Sequence, residues 1–283
     1  MRRGTKLGVG ERRSMVAGLG VLAWIVGLLW IFPVAWTVFT SFKTEQDAAA
    51  QTLTHGLTFG RYDEVAHSTP GTLSLETAFT NSVVVVLVST LVVMLLALPA
   101  AYALAIRPIH KWRDVLFFFI STKFLPIVAS ILPIWVIANH FDKLNTRTIL
   151  VVLYTAINLP LAIWMLRSFF MEIPRELIEA AEIDGANLRG QLTSVVLPIA
   201  APGLAATALL CVIFAWNEYF YAVQLNPVAG STVPIWVTDF VSTRGNFLAK
   251  LSAASVLACI PVVLAGWLAQ KRMIRGLAMG AIK

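Results

Sequence analysis

Charge is scarce in this sequence. Only 13% of its 283 residues are Asp, Glu, Lys or Arg, about half the share of an average soluble domain, whereas 58% are hydrophobic. That balance excludes an ordinary water-solvated core and points to a chain whose solvent is largely lipid. Cysteine is scarcer still. Cys211 and Cys259 both fall inside apolar runs, where a disulfide is not expected and a small apolar role is the default. The histidines, His55, His67, His110 and His140, show no metal-ligand spacing, and no glycine-rich phosphate loop occurs. No catalytic residue and no metal site is therefore expected, and the chain does not read as an enzyme. Internal repeats, low-complexity stretches and a second soluble domain are also missing, so residues 1–283 read as a single transmembrane domain.

What the sequence has in abundance is long uncharged runs. A hydrocarbon layer about 30 Å thick takes about 20 apolar residues per helical crossing. Such runs extend over Ser14 to Phe42, Thr77 to Ile106, and Val115 to Phe141, the last broken only by Lys123. Three more cover Thr148 to Leu166, Leu197 to Leu225 with Glu218 as its one charge, and Leu251 to Gln270. Six transmembrane helices are predicted. The first run is longer than the roughly 7 to 15 residues of a signal core and is expected to be a membrane helix. Pro33, Pro99, Pro126, Pro133, Pro160 and Pro261 lie inside these runs, and each is expected to bend its helix unless neighbours compensate.

Orientation follows from the basic residues, which stay on the cytoplasmic side in short flanks and loops. Of the 22 Lys and Arg, 15 fall on the side of both termini and 6 on the other, with Lys123 between them. Both termini are thus expected in the cytoplasm. The net charge of +7 reads as this bias and as contact with anionic membrane lipid, not as nucleic-acid binding, because no basic run is interleaved with aromatics. An external loop is expected at about residues 43–76. A cytoplasmic segment too polar to span is expected at about 167–196.

That cytoplasmic segment carries the most information. From Ile173 it reads Ile-Pro-Arg-Glu-Leu-Ile-Glu-Ala-Ala-Glu-Ile-Asp-Gly-Ala. Pro174 suits the first turn of a helix and Gly185 a left-handed cap at its end. Leu177, Ala180, Ala181 and Asp184 follow helical spacing and share a face. Paired alanines on such a face suit close approach by another protein. The competing account lays the helix on lipid headgroups, with Leu177, Ile178 and Ile183 in the membrane.

At this point a resemblance becomes specific. Glu179-Ala180-Ala181, Asp184-Gly185-Ala186, Leu197-Pro198 and Pro202 are similar to the EAA loop of binding-protein-dependent ABC importer permeases. Phe32-Pro33 with Trp36, Ser41-Phe42-Lys43, Asn81-Ser82, Pro99 to Leu104, Phe214 to Glu218, Gly276-Leu277 and Gly280-Ala281 resemble the carbohydrate branch, the maltose-type second permease subunit. One departure stands out. Where the family often carries an aromatic residue soon after Asp-Gly, this chain has Gly190, Gln191 and Leu192.

The resemblance implies an all-α, type I ABC importer permease fold in the bacterial cytoplasmic (inner) membrane. It implies a sugar or polyol as cargo, and as partners a second permease subunit, two ATPase subunits and an extracytoplasmic solute-binding protein. ATP and Mg would be bound by the ATPase partners, with no cofactor in this chain. Leu177, Glu179, Ala180, Ala181, Asp184 and Gly185 are the expected ATPase-coupling residues, and the tail from Gly276 to Lys283 is expected at the same interface.

Two charges within the runs remain. Lys123 lies on the order of 12 Å along the third run, where it either lines the solute pathway or a permease interface, or else snorkels or pairs structurally. Glu218, with Trp216 and Asn217, offers a carboxylate, an amide and an indole to sugar hydroxyls. The same residues also fit an interfacial belt and a structural tie. A rival reading, an ion-coupled secondary carrier for a small polar solute, would use Lys123 and Glu218 for coupling; the missing inverted repeat argues against it.

Overall fold

A computed structural model describes residues 9–52, 56–67, 74–228, 231–242 and 245–280, with side chains outside 9–16, 242, 245–246 and 271–280. Arg2, Arg3, Lys6, His55, Arg244 and Ala281 to Lys283, the last being the end of the tail expected at the ATPase, lie outside the described residues. In chain order the helices are α1 Val9–Thr40, α2 Glu45–Ala49, α3 Gly60–His67, α4 Leu75–Ala105, α5 Trp112–Ser121, α6 Ile127–His140 and α7 Arg147–Met171. Then come α8 Arg175–Ile183, α9 Leu188–Gly190, a π-helical stretch Gln191–Val196, α10 Leu197–Ile199, α11 Ala201–Trp216, α12 Phe220–Leu225, α13 Val233–Thr238 and α14 Leu248–Gly280. A two-residue strand pair, β1 Val241–Ser242 and β2 Gly245–Asn246, is the only extended pairing among the described residues.

By length and composition, parts of α1, α4, α7 and α14 are each able to cross a membrane as single helices. Helices satisfy their own backbone groups, which hydrocarbon cannot do. The third and fifth runs are each broken into two helices by a sharp bend. The third is bent by 93° between Trp112–Phe124 and Ile127–His140. Leu125 is extended, with φ −64° and ψ 129°, because the Pro126 ring disfavours the helical region for the residue before it. The fifth bends by 81° between Leu188–Ile199 and Ala201–Trp216. Pro202 has no N–H to give the Pro198 carbonyl, so the ladder opens at Ala200. Its helix then stops at Trp216, short of the expected Leu225. Counting each bent pair as one span gives up to six.

The chain divides into two units. In the unit of residues 66–241 and 257–283, α4, α7 and α11 form the core. Ala97, Ala101 and Ala162 are fully buried where α4 and α7 meet; such small residues let backbones approach closely in the absence of a hydrophobic driving force. Val85, Leu150, Tyr154, Trp216 and Tyr221 fill a second cluster in the same unit. The start of this unit is closed by Asn81, which accepts from Arg147 Nε at 2.6 Å and donates to the Ser231 carbonyl at 3.0 Å. Ser82 Oγ accepts from Val233 N at 2.8 Å, tying down the start of α13.

In the unit of residues 1–65 and 242–256, none of the residues in the apolar window of α1 is buried. Lys43 closes over the rings of Trp36 and Phe39, 4.6 Å from each centroid. Glu45 accepts from the amides of Ala249 and Lys250 at 3.1 and 2.9 Å, which caps the first turn of α14.

Candidate functional site

The segment singled out by sequence folds as a discrete helix, α8. Pro174 stands at its N-cap with ψ 133°, one residue earlier than the first turn expected for it. The far end closes as a Schellman motif: Ala186 N donates to Ala181 O at 2.9 Å, Gly185 N to Glu182 O at 3.0 Å, and Gly185 takes a left-handed φ of 82°. The two ends confine the helix to nine residues.

Its faces separate cleanly. Ile178 is buried in the core shared by α4 and α7, while Ile183, 87% exposed, and Leu177, 44% exposed, point away from it. The three apolar residues therefore do not share one membrane-facing side, as the headgroup account required. Glu179, Ala180 and Asp184 are exposed with Leu177, whereas Ala181 is half-buried and turns toward the bundle. Glu182 pairs with Arg107, at the end of α4, with both side chains about half exposed. A cleft of about 610 Å³ lies beside α8, walled by Arg107, Trp112, Arg167, Phe170 and Ile178. Arg167 donates to the Leu104 carbonyl at 3.2 Å and stacks on Trp112, its guanidinium carbon 4.3 Å from the ring centroid.

One residue here escaped the reading of the sequence as a contributor. Gln191, 2% exposed, accepts from Tyr102 Oη at 2.6 Å and donates through Nε2 to Ala186 O at 3.0 Å and toward Glu182 Oε1 at 3.5 Å. The signal available was slight: a polar amide where an aromatic side chain was expected.

The other candidates lie apart from this segment. Lys123, in the 3₁₀ turn between α5 and α6, is exposed and donates to the carbonyl of Ile157, in the turn of α7 preceding Pro160. Trp216 is buried: its Nε1 donates to Ala258 O at 3.0 Å and its ring stands edge-on to Phe79. Asn217 is exposed and donates back to Ile213 O at 2.8 Å. Glu218 accepts from the amides of Tyr221 and Ala222 at 2.9 and 3.2 Å, so its carboxylate restarts the chain as α12. Trp216 and Glu218 are thus both engaged in holding the end of α11 and the start of α12. Among the described residues, no group of three or more His, Cys, Asp or Glu is placed to hold a metal.

Long lipid-compatible helices, with a capped polar helix between two of them, define an integral membrane protein. Residues 97–274 match the family described as the binding-protein-dependent transport system inner membrane component, and the chain belongs to that family. Its members are permease subunits and are not themselves enzymes.

Among relatives, the sulfoquinovosyl glycerol transport system permease protein SmoH of Agrobacterium fabrum is 33% identical, with 89% of each chain covered. The trehalose/maltose transport system permease protein MalG of Thermococcus litoralis is 32% identical over 92% of this chain and 94% of its own. The fold is shared with a chain from the crystal structure of a bacterial ABC transporter involved in import of the acidic polysaccharide alginate. There the TM-score is 0.72 at 23% identity, covering 95% of this chain and 99% of that one.

Proposed function

We propose that this chain is a permease subunit of an ATP-driven, binding-protein-dependent importer that carries a sugar or polyol across the bacterial cytoplasmic membrane. In this reading the polypeptide crosses the membrane six times, each bent pair counting as one crossing, with both termini in the cytoplasm. It pairs with a second permease and docks on two ATPase subunits, which bind the ATP and Mg; a solute-binding protein delivers cargo from outside. The carbohydrate cargo is supported by relatives whose names specify sulfoquinovosyl glycerol, trehalose and maltose. Family membership gives no support to the ion-coupled carrier.

The observation that carries the mechanism is the shape of α8: one residue, Ile178, anchored in the core, an exposed face of Leu177, Glu179, Ala180 and Asp184, and a closed Schellman end at Gly185. A short helix with a small-residue face fits a groove on another protein. Closure of the ATPase dimer would then push α8 as a lever, and the bundle would switch between inward-facing and outward-facing states. Lys123 and Asn217 remain the candidates for contact with solute along the path.

The test is purification of the tagged chain in mild detergent, native and as Gly185→Pro, followed by ATPase assay of what co-purifies. Proline cannot adopt φ 82°, so the variant loses the end of α8. An ATPase that accompanies the native chain and is lost from the variant supports the reading; a native chain that purifies without one overturns it.

A further inference from the structure

Among the described residues, α8 and its capped end are held to the rest of the unit chiefly through the Arg107–Glu182 pair, Ile178 and Gln191, and the three are unequal. The Arg107–Glu182 pair is about half exposed on both sides, so water and salt screen it and it holds position weakly. Ile178 is apolar and non-directional: it keeps α8 against the core but does not fix its register. The third is the amide of Gln191. It is buried, it uses its oxygen as acceptor and its nitrogen as donor, and it reaches two elements at once. One end holds the carbonyl of Ala186, whose own N–H closes the Schellman turn of α8; the other holds the hydroxyl of Tyr102, 7% exposed, in the last turns of α4.

The backbone at this point is unusual as well. Gln191 opens the π-helical stretch that ends at Val196, with Leu197 N donating to Leu192 O five residues back. Such wide turns are rare and are found frequently at functional sites. A directional, buried tie therefore sits at the head of a π-helical segment, between the helix that would receive the push and the helix that forms half of the central α4–α7 pair.

We infer that Gln191 is a positioning residue for coupling: through Tyr102 and Ala186 it locks the movement of α8 to that of α4, so that force applied at α8 reaches the bundle. This rests on the importer reading above. A hydrogen bond that merely stabilised the fold would give the same static picture, so the test must read transmission and not only stability.

Hydrogen–deuterium exchange on the intact complex with its ATPase, with and without ATP plus vanadate, makes that distinction. The variants are Gln191→Met, which keeps length without hydrogen bonding, Tyr102→Phe, their double, and Thr193→Ala, exposed nearby, as control. In the native complex nucleotide trapping is expected to change exchange both in α8 and in the last turns of α4. In Gln191→Met and in Tyr102→Phe the change at α8 persists while that at α4 shrinks about fivefold, the ratio one buried hydrogen bond sets. The double variant behaves as either single. A response of α4 equal to native in both variants overturns the inference. So does a uniform rise in exchange in all states, which marks a structural role alone. A native chain that recruits no ATPase overturns the importer reading, and this inference with it.

Discussion

Gly203 on α11 lies flat against the ring of Phe169 on α7: a Cβ added at Gly203 would stand 2.3 Å from the ring's Cγ. No real side chain fits that space, so the two helices meet at this point only because residue 203 has no side chain. Gly203→Ala is expected to destabilise the protein by about 1 to 3 kcal/mol, read as a lower thermal midpoint in detergent. Phe169→Leu in the same chain should recover most of the loss. A Gly203→Ala chain as stable as native would mean that α7 and α11 are not packed this closely.

Gly185 poses a different constraint. Nothing lies within 4 Å of a Cβ built there, yet φ is 82°, so the penalty for alanine is backbone strain alone, about 1 to 2 kcal/mol. Gly185→Ala should weaken ATPase binding roughly tenfold or more, and Gly185→Asn less, because asparagine tolerates the left-handed region. Equal binding by native and alanine forms would remove the capped end of α8 from the interface.

Glu218 accepts from two amides at the start of α12. Glu218→Ala should cost about 1 to 2 kcal/mol as a lost cap, and Glu218→Gln about half of that, since one oxygen remains. Unaltered stability combined with lost solute uptake would instead place the carboxylate on the solute path.

Lys123 donates to the backbone of α7 beside a proline. Lys123→Met keeps the length of the stem, so a stability loss below about 1 kcal/mol is expected. If the ammonium contacts solute, uptake by proteoliposomes falls about tenfold, while Lys123→Arg retains it. Uptake by the methionine form at the native rate would assign Lys123 to structure.

Burial raises the carboxyl pKa of Asp239, in the turn after α13, above the usual carboxylate value. Between the unfolded value of about 3.9 and this higher folded one, the native state binds more protons, so stability falls as pH rises through that window. Asp239→Asn should therefore raise the thermal midpoint at neutral pH, with the advantage shrinking toward pH 4. A midpoint difference that does not vary with pH would contradict the burial of this carboxylate.

Composition and spacing made the large features legible. Four of the uncharged runs are the unbroken helices α1, α4, α7 and α14, because a helix able to cross lipid needs only length and apolarity, both of which are one-dimensional properties. The start and stop of α8 were legible for a similar reason: Pro174 and Gly185 act on their own backbone torsions. The two sharp bends were not. Eight prolines fall within the runs, and a bend was expected at six of them unless neighbours compensate; Pro33, Pro99, Pro133, Pro160 and Pro261 sit inside continuous helices, Leu125 before Pro126 leaves the helical region altogether, and the other sharp bend is at Pro202, which was not among the six. Whether a helix stays continuous through its proline depends on packing between segments far apart in sequence, such as the Lys123 side chain that reaches the Ile157 carbonyl one turn before Pro160.

The roles of single polar side chains divide along the same line. From sequence, Glu218, Trp216 and Asn217 fitted either contact with sugar or a structural tie at the membrane interface; in space Glu218 turns to the amides of Tyr221 and Ala222, Trp216 donates to Ala258, and only Asn217 remains exposed. Gln191 was visible only as a residue out of pattern, and its partner Tyr102 is 89 positions away. The sequence by itself determined that this chain lives in a membrane, where its long uncharged runs lie and where α8 starts and stops, since these depend on solvent transfer and local torsion. Which polar groups satisfy one another was decided by the tertiary structure alone, because a hydrogen bond is directional over about 3 Å and its partner can come from anywhere in the chain.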